Sequence, residues 1–95
     1  MKLGDIRKMH DSFNYTFYGK NQIYDLNKKE NIILDLLLSN KNRVVTYKEL
    51  IKKVFGLEED KYLIANIQGR VRKLEHKLNG EINIKNIREV GYRIN

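Results

Sequence analysis

The feature that most restricts how this 95-residue chain can fold is a single apolar stripe: Ile64, Ile67, Val71, Leu74 and Leu78. Spacings that alternate between three and four residues follow the period of an α-helix, so the five side chains share one face. The spacing predicts a helix over Ile64 to Asn79. At about 100° per residue, the opposite side holds Ala65, Gly69, Arg72, Lys73 and His76, flanked by Asn66, Arg70 and Lys77. Such a helix packs inward along its stripe and presents positive charge outward. Glycine inside a helix costs about 1 kcal/mol relative to alanine. Gly69 is either tolerated at that cost or permits close approach to the floor of a groove.

Charge placement follows the same segment. The net charge is +7, and residues 61–95 carry 8 basic and 3 acidic side chains against 11 and 9 in residues 1–60. A concentrated positive field favours polyanions, nucleic acid before anionic membrane, although a Lys-rich solubilising surface has the same composition. With no cysteine, neither a disulfide framework nor a thiolate metal site is available. No apolar run approaches the roughly 18 residues of a membrane span, and Met1-Lys2-Leu3-Gly4-Asp5 lacks a signal-peptide core. The expectation is one soluble, cytoplasmic domain over residues 1–95.

Upstream elements must cover the stripe. Phe13, Tyr15 and Phe17 alternate with Asn14, Thr16 and Tyr18, which predicts a half-buried strand. Gly19-Lys20-Asn21 then reads as a turn and Gln22 to Leu26 as the returning strand, making 1–26 an N-terminal sheet. Asn27 with Glu30 has capping-box spacing, and Ile32, Ile33, Leu36 and Leu37, widened by Leu34 and Leu38, predict a helix packed on more than one side. It ends near Ser39-Asn40-Lys41-Asn42, and Val44-Val45 adds a short strand. Thr46 and Glu49 repeat the box. Tyr47, Leu50, Ile51 and Val54 give the second helix its apolar face, and Gly56 stops it. The acidic run Glu58-Glu59-Asp60 suits the positive end of the third helix, which closes a three-helix core over 27–79 at Asn79-Gly80. Ile82, Ile84 and Ile87 lead through Arg88-Glu89-Val90-Gly91 into Tyr92-Arg93-Ile94, a hairpin over 80–95 turning on its glycine, with Arg88 near the tip.

This order points to DNA. A helix fits the major groove, where Arg and Lys suit guanine and Asn and Gln suit adenine. The candidate reading helix supplies Asn66, Gln68, Gly69, Arg70, Arg72, Lys73 and Lys77. The hairpin supplies Asn86 and Arg88 to a minor groove or phosphate, and Thr46, Tyr47 and Lys48 offer free backbone N–H groups to a phosphate. Tyr92 is expected to pack beneath the hairpin, and Arg93 to be an exposed strand charge.

Nearly the whole chain resembles the C-terminal effector domain of OmpR/PhoB-type response regulators. The resemblance begins at Leu3-Gly4-Asp5, and Leu26-Asn27-Lys28-Lys29-Glu30 is similar to the family's Leu-Thr-x-x-Glu opening of the first helix. Val44-Val45-Thr46-Tyr47-Lys48-Glu49-Leu50 and Val54-Phe55-Gly56 resemble its Val-Val-Ser-Arg-Glu-Glu-Leu and Val-Trp-Gly segments. Val71-Arg72-Lys73-Leu74 resembles the Ile-x-Arg-Leu core of the recognition helix, and Ile87 to Arg93 the terminal Val-Arg-Gly-x-Gly-Tyr-Arg hairpin. The resemblance implies an α+β winged helix-turn-helix: a four-stranded N-terminal antiparallel sheet, three helices and a C-terminal β-hairpin wing. It further implies a bacterial two-component regulator controlling transcription, often as head-to-tail pairs on promoter direct repeats of double-stranded DNA, with RNA polymerase met through loop 56–60. Three departures stand out. Ala65-Asn66 replaces an Arg-Thr pair, Gly69-Arg70 replaces Val and a polar residue, and Glu89 replaces the first wing glycine.

Other functions find less support. His10 and His76 are isolated, and no nucleophile–base set or phosphate-cradling glycine loop is present, so no enzyme, metal or cofactor is expected. A winged-helix protein-interaction module that does not read DNA is the alternative. An RNA-binding domain would show exposed aromatics for base stacking, and a membrane-surface helix would need an apolar face left over after packing.

Overall fold

Three side-chain caps decide where the chain becomes helical in the computed structural model, which describes residues 9–95. Leu3-Gly4-Asp5 therefore lies outside the described residues. Asn27 Oδ1 accepts from the Glu30 N–H at 2.8 Å while Glu30 Oε1 accepts from the Asn27 N–H at 2.9 Å, and helix α1 (Lys28–Ser39) follows. Thr46 and Glu49 form the same reciprocal pair ahead of α2 (Tyr47–Phe55), which stops at Gly56 in the left-handed region. Asp60 Oδ1 accepts from the Leu63 N–H at 2.8 Å, so α3 (Lys61–Lys77) opens almost a turn before the expected Ile64. Beyond Lys77, Leu78 caps the helix, and Asn79 and Gly80 reverse the chain at φ 53° and 79°.

The stripe packs as its spacing requires. Ile67, Val71, Leu74 and Leu78 are buried, while Ile64 is half-covered at the helix start. Against them lie Ile33, Leu34, Leu37 and Leu38 of α1 and Leu50 and Ile51 of α2. Four buried residues on adjacent turns of α1 explain its broad apolar surface: it touches both other helices and strand β6. Each fully buried side chain of this size contributes about 1.5–3 kcal/mol.

Strands β1 (His10–Asp11), β2 (Thr16–Tyr18) and β3 (Ile23–Asp25) form one antiparallel sheet in the order β1-β2-β3. Phe17 opposes Tyr24, and both rings point into the core with centroids 6.1 Å apart. The expected strand from Phe13 onward is corrected. The Asp11 carboxylate accepts from the N–H groups of Phe13 and Asn14, Tyr15 sits at φ 53°, and this turn leaves Phe13 93% exposed. The resemblance implies four strands here; three stand among the described residues.

The second sheet, β4-β6-β5, joins β4 (Val45–Thr46) to the hairpin of β5 (Ile84–Ile87) and β6 (Gly91–Ile94). Its turn residue is Glu89, at φ 64°, rather than the expected glycine. Gly91 serves a different need. It faces Thr46 across the ladder, and a Cβ there would run into the Val45 carbonyl oxygen and come within 2.8 Å of Thr46 Cα. The absent side chain lets β6 lie against the strand that leads into α2. At the far end, the Glu81 carboxylate accepts from the Lys20 N–H at 3.0 Å and from the Tyr24 hydroxyl at 3.4 Å, tying the N-terminal hairpin to the end of α3.

Candidate nucleic-acid interface

With its stripe buried, α3 turns Ala65, Asn66, Arg72, Lys73 and His76 to solvent. Gly69 sits among them with open space around it: a Cβ would meet no atom within 4 Å. No contact inside the domain therefore demands glycine at this position. Arg72 and Lys73 stand in no ion pair among the described residues.

A hollow lies along each flank of this face. On one side Gln68, Val71, Arg72 and Glu75 of α3 meet Asn86 and Tyr92 of the hairpin. On the other, Ala65, Asn66, Gly69, Arg70 and Lys73 meet Asn27, the cap of α1. The helix is thus bordered by the wing and by the start of α1.

Tyr47 locks the wing side. The Gln68 and Asn86 amide nitrogens each donate to its hydroxyl at 3.2 Å, one from α3 and one from β5. Its ring is buried edge-on against Tyr92, with centroids 5.8 Å apart. Burial, then the neighbouring Tyr47, pushes the Tyr92 hydroxyl up to about 12, so it stays neutral. Tyr92 packs beneath the hairpin, as its position in the sequence suggests. Burial also pushes the Glu75 carboxyl up.

Several expected site residues are placed differently. The N–H groups at the start of α2 are largely taken: Tyr47 donates to the Val90 carbonyl at 3.0 Å, and Thr46 to Glu49. Lys48 contributes an exposed side chain instead. The Glu49 carboxylate is gripped by both terminal nitrogens of Arg43, at 2.8 and 3.1 Å. That guanidinium, chiefly, holds the Glu49 carboxyl at about 2. Lys77 does not flank the outer face as a free charge; its ammonium lies 2.7 Å from the buried Glu30 carboxylate. Arg70 Nε donates to Asn66 Oδ1 at 2.6 Å, and its guanidinium rests 5.8 Å from the Phe55 ring centre. Arg88 is exposed at the wing tip beside Glu89. Arg93 is half-buried rather than exposed, its Nε covered and without a partner among the described residues. Among the described residues no cluster of His, Cys, Asp and Glu is arranged to hold a metal ion, and no helix is long and apolar enough to cross a membrane.

A helix with a basic outer face, preceded by a capped helix and braced by a β-hairpin, defines a winged helix-turn-helix domain. The family model described as "Transcriptional regulatory protein, C terminal" matches residues 20–94, and the chain belongs to that family, the effector domains of the OmpR/PhoB type. Solved structures agree on the fold. The DNA-binding domain of Bacillus subtilis CssR superposes with a TM-score of 0.74 at 26% identity, over 84% of this chain and 90% of that one. The DNA-binding domain of E. coli CpxR gives 0.77 at 24% identity, over 88% and 85%. The DNA-binding domain of the response regulator AdeR, in complex with an intercistronic region, gives 0.73 at 22% identity, over 90% of each chain. No curated protein sequence matches significantly.

Proposed function

We propose that this domain regulates transcription by binding double-stranded DNA sequence-specifically, as the effector domain of a two-component response regulator, with α3 in the major groove. The observation that carries the reading is the solvent face of α3, where Arg72 and Lys73 border the two flanking hollows and stand in no ion pair among the described residues. Guanidinium and ammonium groups there suit the O6 and N7 acceptors of guanine. Gln68 and Asn86 each give one amide hydrogen to Tyr47 and keep further donor and acceptor capacity for DNA. Lys48 and Arg88 are exposed at the start of α2 and the wing tip, where they serve as phosphate contacts or, for Arg88, reach into the minor groove. Asn66 orients Arg70 through their hydrogen bond. Lys77 belongs to the core's support rather than to the contact surface. Loop 56–60 is wholly exposed and acidic, which supports its assignment to a basic surface of RNA polymerase. Head-to-tail binding on direct repeats completes the reading.

Selection of bound duplexes from a random library tests it. Enrichment of a repeated half-site is the expected result. Salt-labile binding with no enriched motif would overturn it in favour of a protein-interaction module.

A further inference from the structure

Phe55, the last residue of α2, has cations from two other helices close to its ring. Lys29 Nζ of α1 lies 5.6 Å from the ring centre and the Arg70 guanidinium of α3 lies 5.8 Å from it. Each contact is an ordinary cation–π attraction. Their convergence on one ring is not ordinary, because it keeps two positive charges no farther apart than the sum of those two distances. Neither cation has a carboxylate partner among the described residues, and Lys73, in the adjoining hollow with Asn27 and Arg70, has none either. Among the described residues Arg70 donates only through its Nε, to Asn66, and the donors of both terminal nitrogens have no partner there.

Lys29, Arg70 and Lys73, without a carboxylate partner among the described residues, set positive charge where three helices meet and favour an anion there. The site is on the flank of α3 away from the wing, across the outer face from the Gln68–Asn86 hollow. A helix lying in a major groove runs between two phosphodiester strands, and the wing occupies only one flank. We infer that Lys29 and Arg70, held on Phe55 and joined by Lys73, form a phosphate clamp for the strand opposite the wing. This makes α1 part of the DNA interface, a role its sequence did not signal. The clamp reads no base; it positions α3, and it rests on the DNA-binding reading above.

The test measures duplex binding by fluorescence anisotropy across a salt series, for the selected duplex and for an unrelated one. Lys29→Gln and Arg70→Gln are each expected to lower the salt slope by about 0.9, equally on both duplexes. Arg70→Lys, which keeps the charge, should retain most of the slope. Lys20→Gln, an equal charge loss on the N-terminal hairpin, should leave it unchanged. Melting curves confirm that each variant is folded. If the parent protein binds while Lys29→Gln and Arg70→Gln behave like Lys20→Gln, the clamp is wrong and the DNA reading survives. If the parent protein shows no salt-dependent duplex binding at all, the DNA reading fails and the clamp falls with it.

Discussion

Lys77 and Glu30 are 47 residues apart in the chain, yet the ammonium of one lies 2.7 Å from the carboxylate of the other. The same carboxylate oxygen accepts from the Asn27 N–H, so one atom both caps α1 and holds the end of α3. Glu30 is buried and Lys77 is partly exposed, which sets the pair between a surface bridge and a buried one. Lys77→Gln is expected to cost about 1–3 kcal/mol, the interval between those limits. A domain of this size loses roughly 4–8 °C in Tm per kcal/mol. The salt slope of DNA binding should stay as in the parent protein. An unchanged Tm with a shallower slope would return Lys77 to the contact surface.

Glu49 makes stability depend on pH at the acidic end. Its carboxyl sits at about 2 in the folded chain, against an ordinary value of 4.5, chiefly because Arg43 grips it. A depressed acid contributes stability that is complete above its unfolded value and is lost as pH falls through its folded one. The window therefore runs from about pH 4.5 down to about 2. The side chain is 38% exposed, so solvent screening reduces the contribution to about 1 kcal/mol. Urea midpoints of the parent and Glu49→Gln should differ at pH 7 and converge as the window is crossed. A difference that stays constant down to pH 2 would contradict the assignment.

Local devices were the most legible part of this fold. Both capping boxes could be read because each pairs residues three apart, and the α3 stripe because burial enforces its period. The alternation from Phe13 to Tyr18 misled for an equally local reason: Asp11 bonds the N–H groups of Phe13 and Asn14 and bends the chain before a strand can start. An Asp-x-x-Asn run ahead of aromatics was the available signal. The site was less legible because its polar pairs are distant in sequence. Nothing near Lys77 announces Glu30, nothing near Gln68 announces Tyr47, and Phe55 and the two cations on its ring come from three different helices. Gly91 reads in the sequence as the glycine of the wing turn, whereas its actual constraint, a neighbouring strand, is tertiary and the turn falls on Glu89.

Glu89 holds the wing tip in a backbone region that L-residues avoid, at φ 64°. That conformation costs about 1–2 kcal/mol, and glycine would release it while adding about 0.4–1 kcal/mol of unfolded-chain entropy. Glu89→Gly should therefore stabilise the domain by up to about 1 kcal/mol. It also removes a negative charge beside Arg88, so affinity for unrelated duplexes should rise at low salt and converge with the parent at high salt. Unaltered affinity at every salt concentration would mean that the wing tip stays away from the phosphates.

Gly69 and Gly91 separate two reasons for having no side chain. Gly91→Ala forces a methyl group into the Val45 carbonyl and should cost about 3 kcal/mol or more by prising β6 from β4. Gly69→Ala meets nothing inside the domain and restores helix propensity, so it should stabilise by up to about 1 kcal/mol. On DNA its effect should reverse. If α3 lies against the groove floor, the methyl group on its outer face displaces the helix from the base edges that Arg72 and Lys73 read. Affinity for the selected duplex should then fall more than affinity for an unrelated one, since phosphate contacts tolerate a small displacement better than bidentate base contacts do. Chemical denaturation paired with anisotropy on both duplexes measures the two effects in one variant. A more stable protein with undiminished preference for its selected site would mean that Gly69 is tolerated and has no part in groove entry.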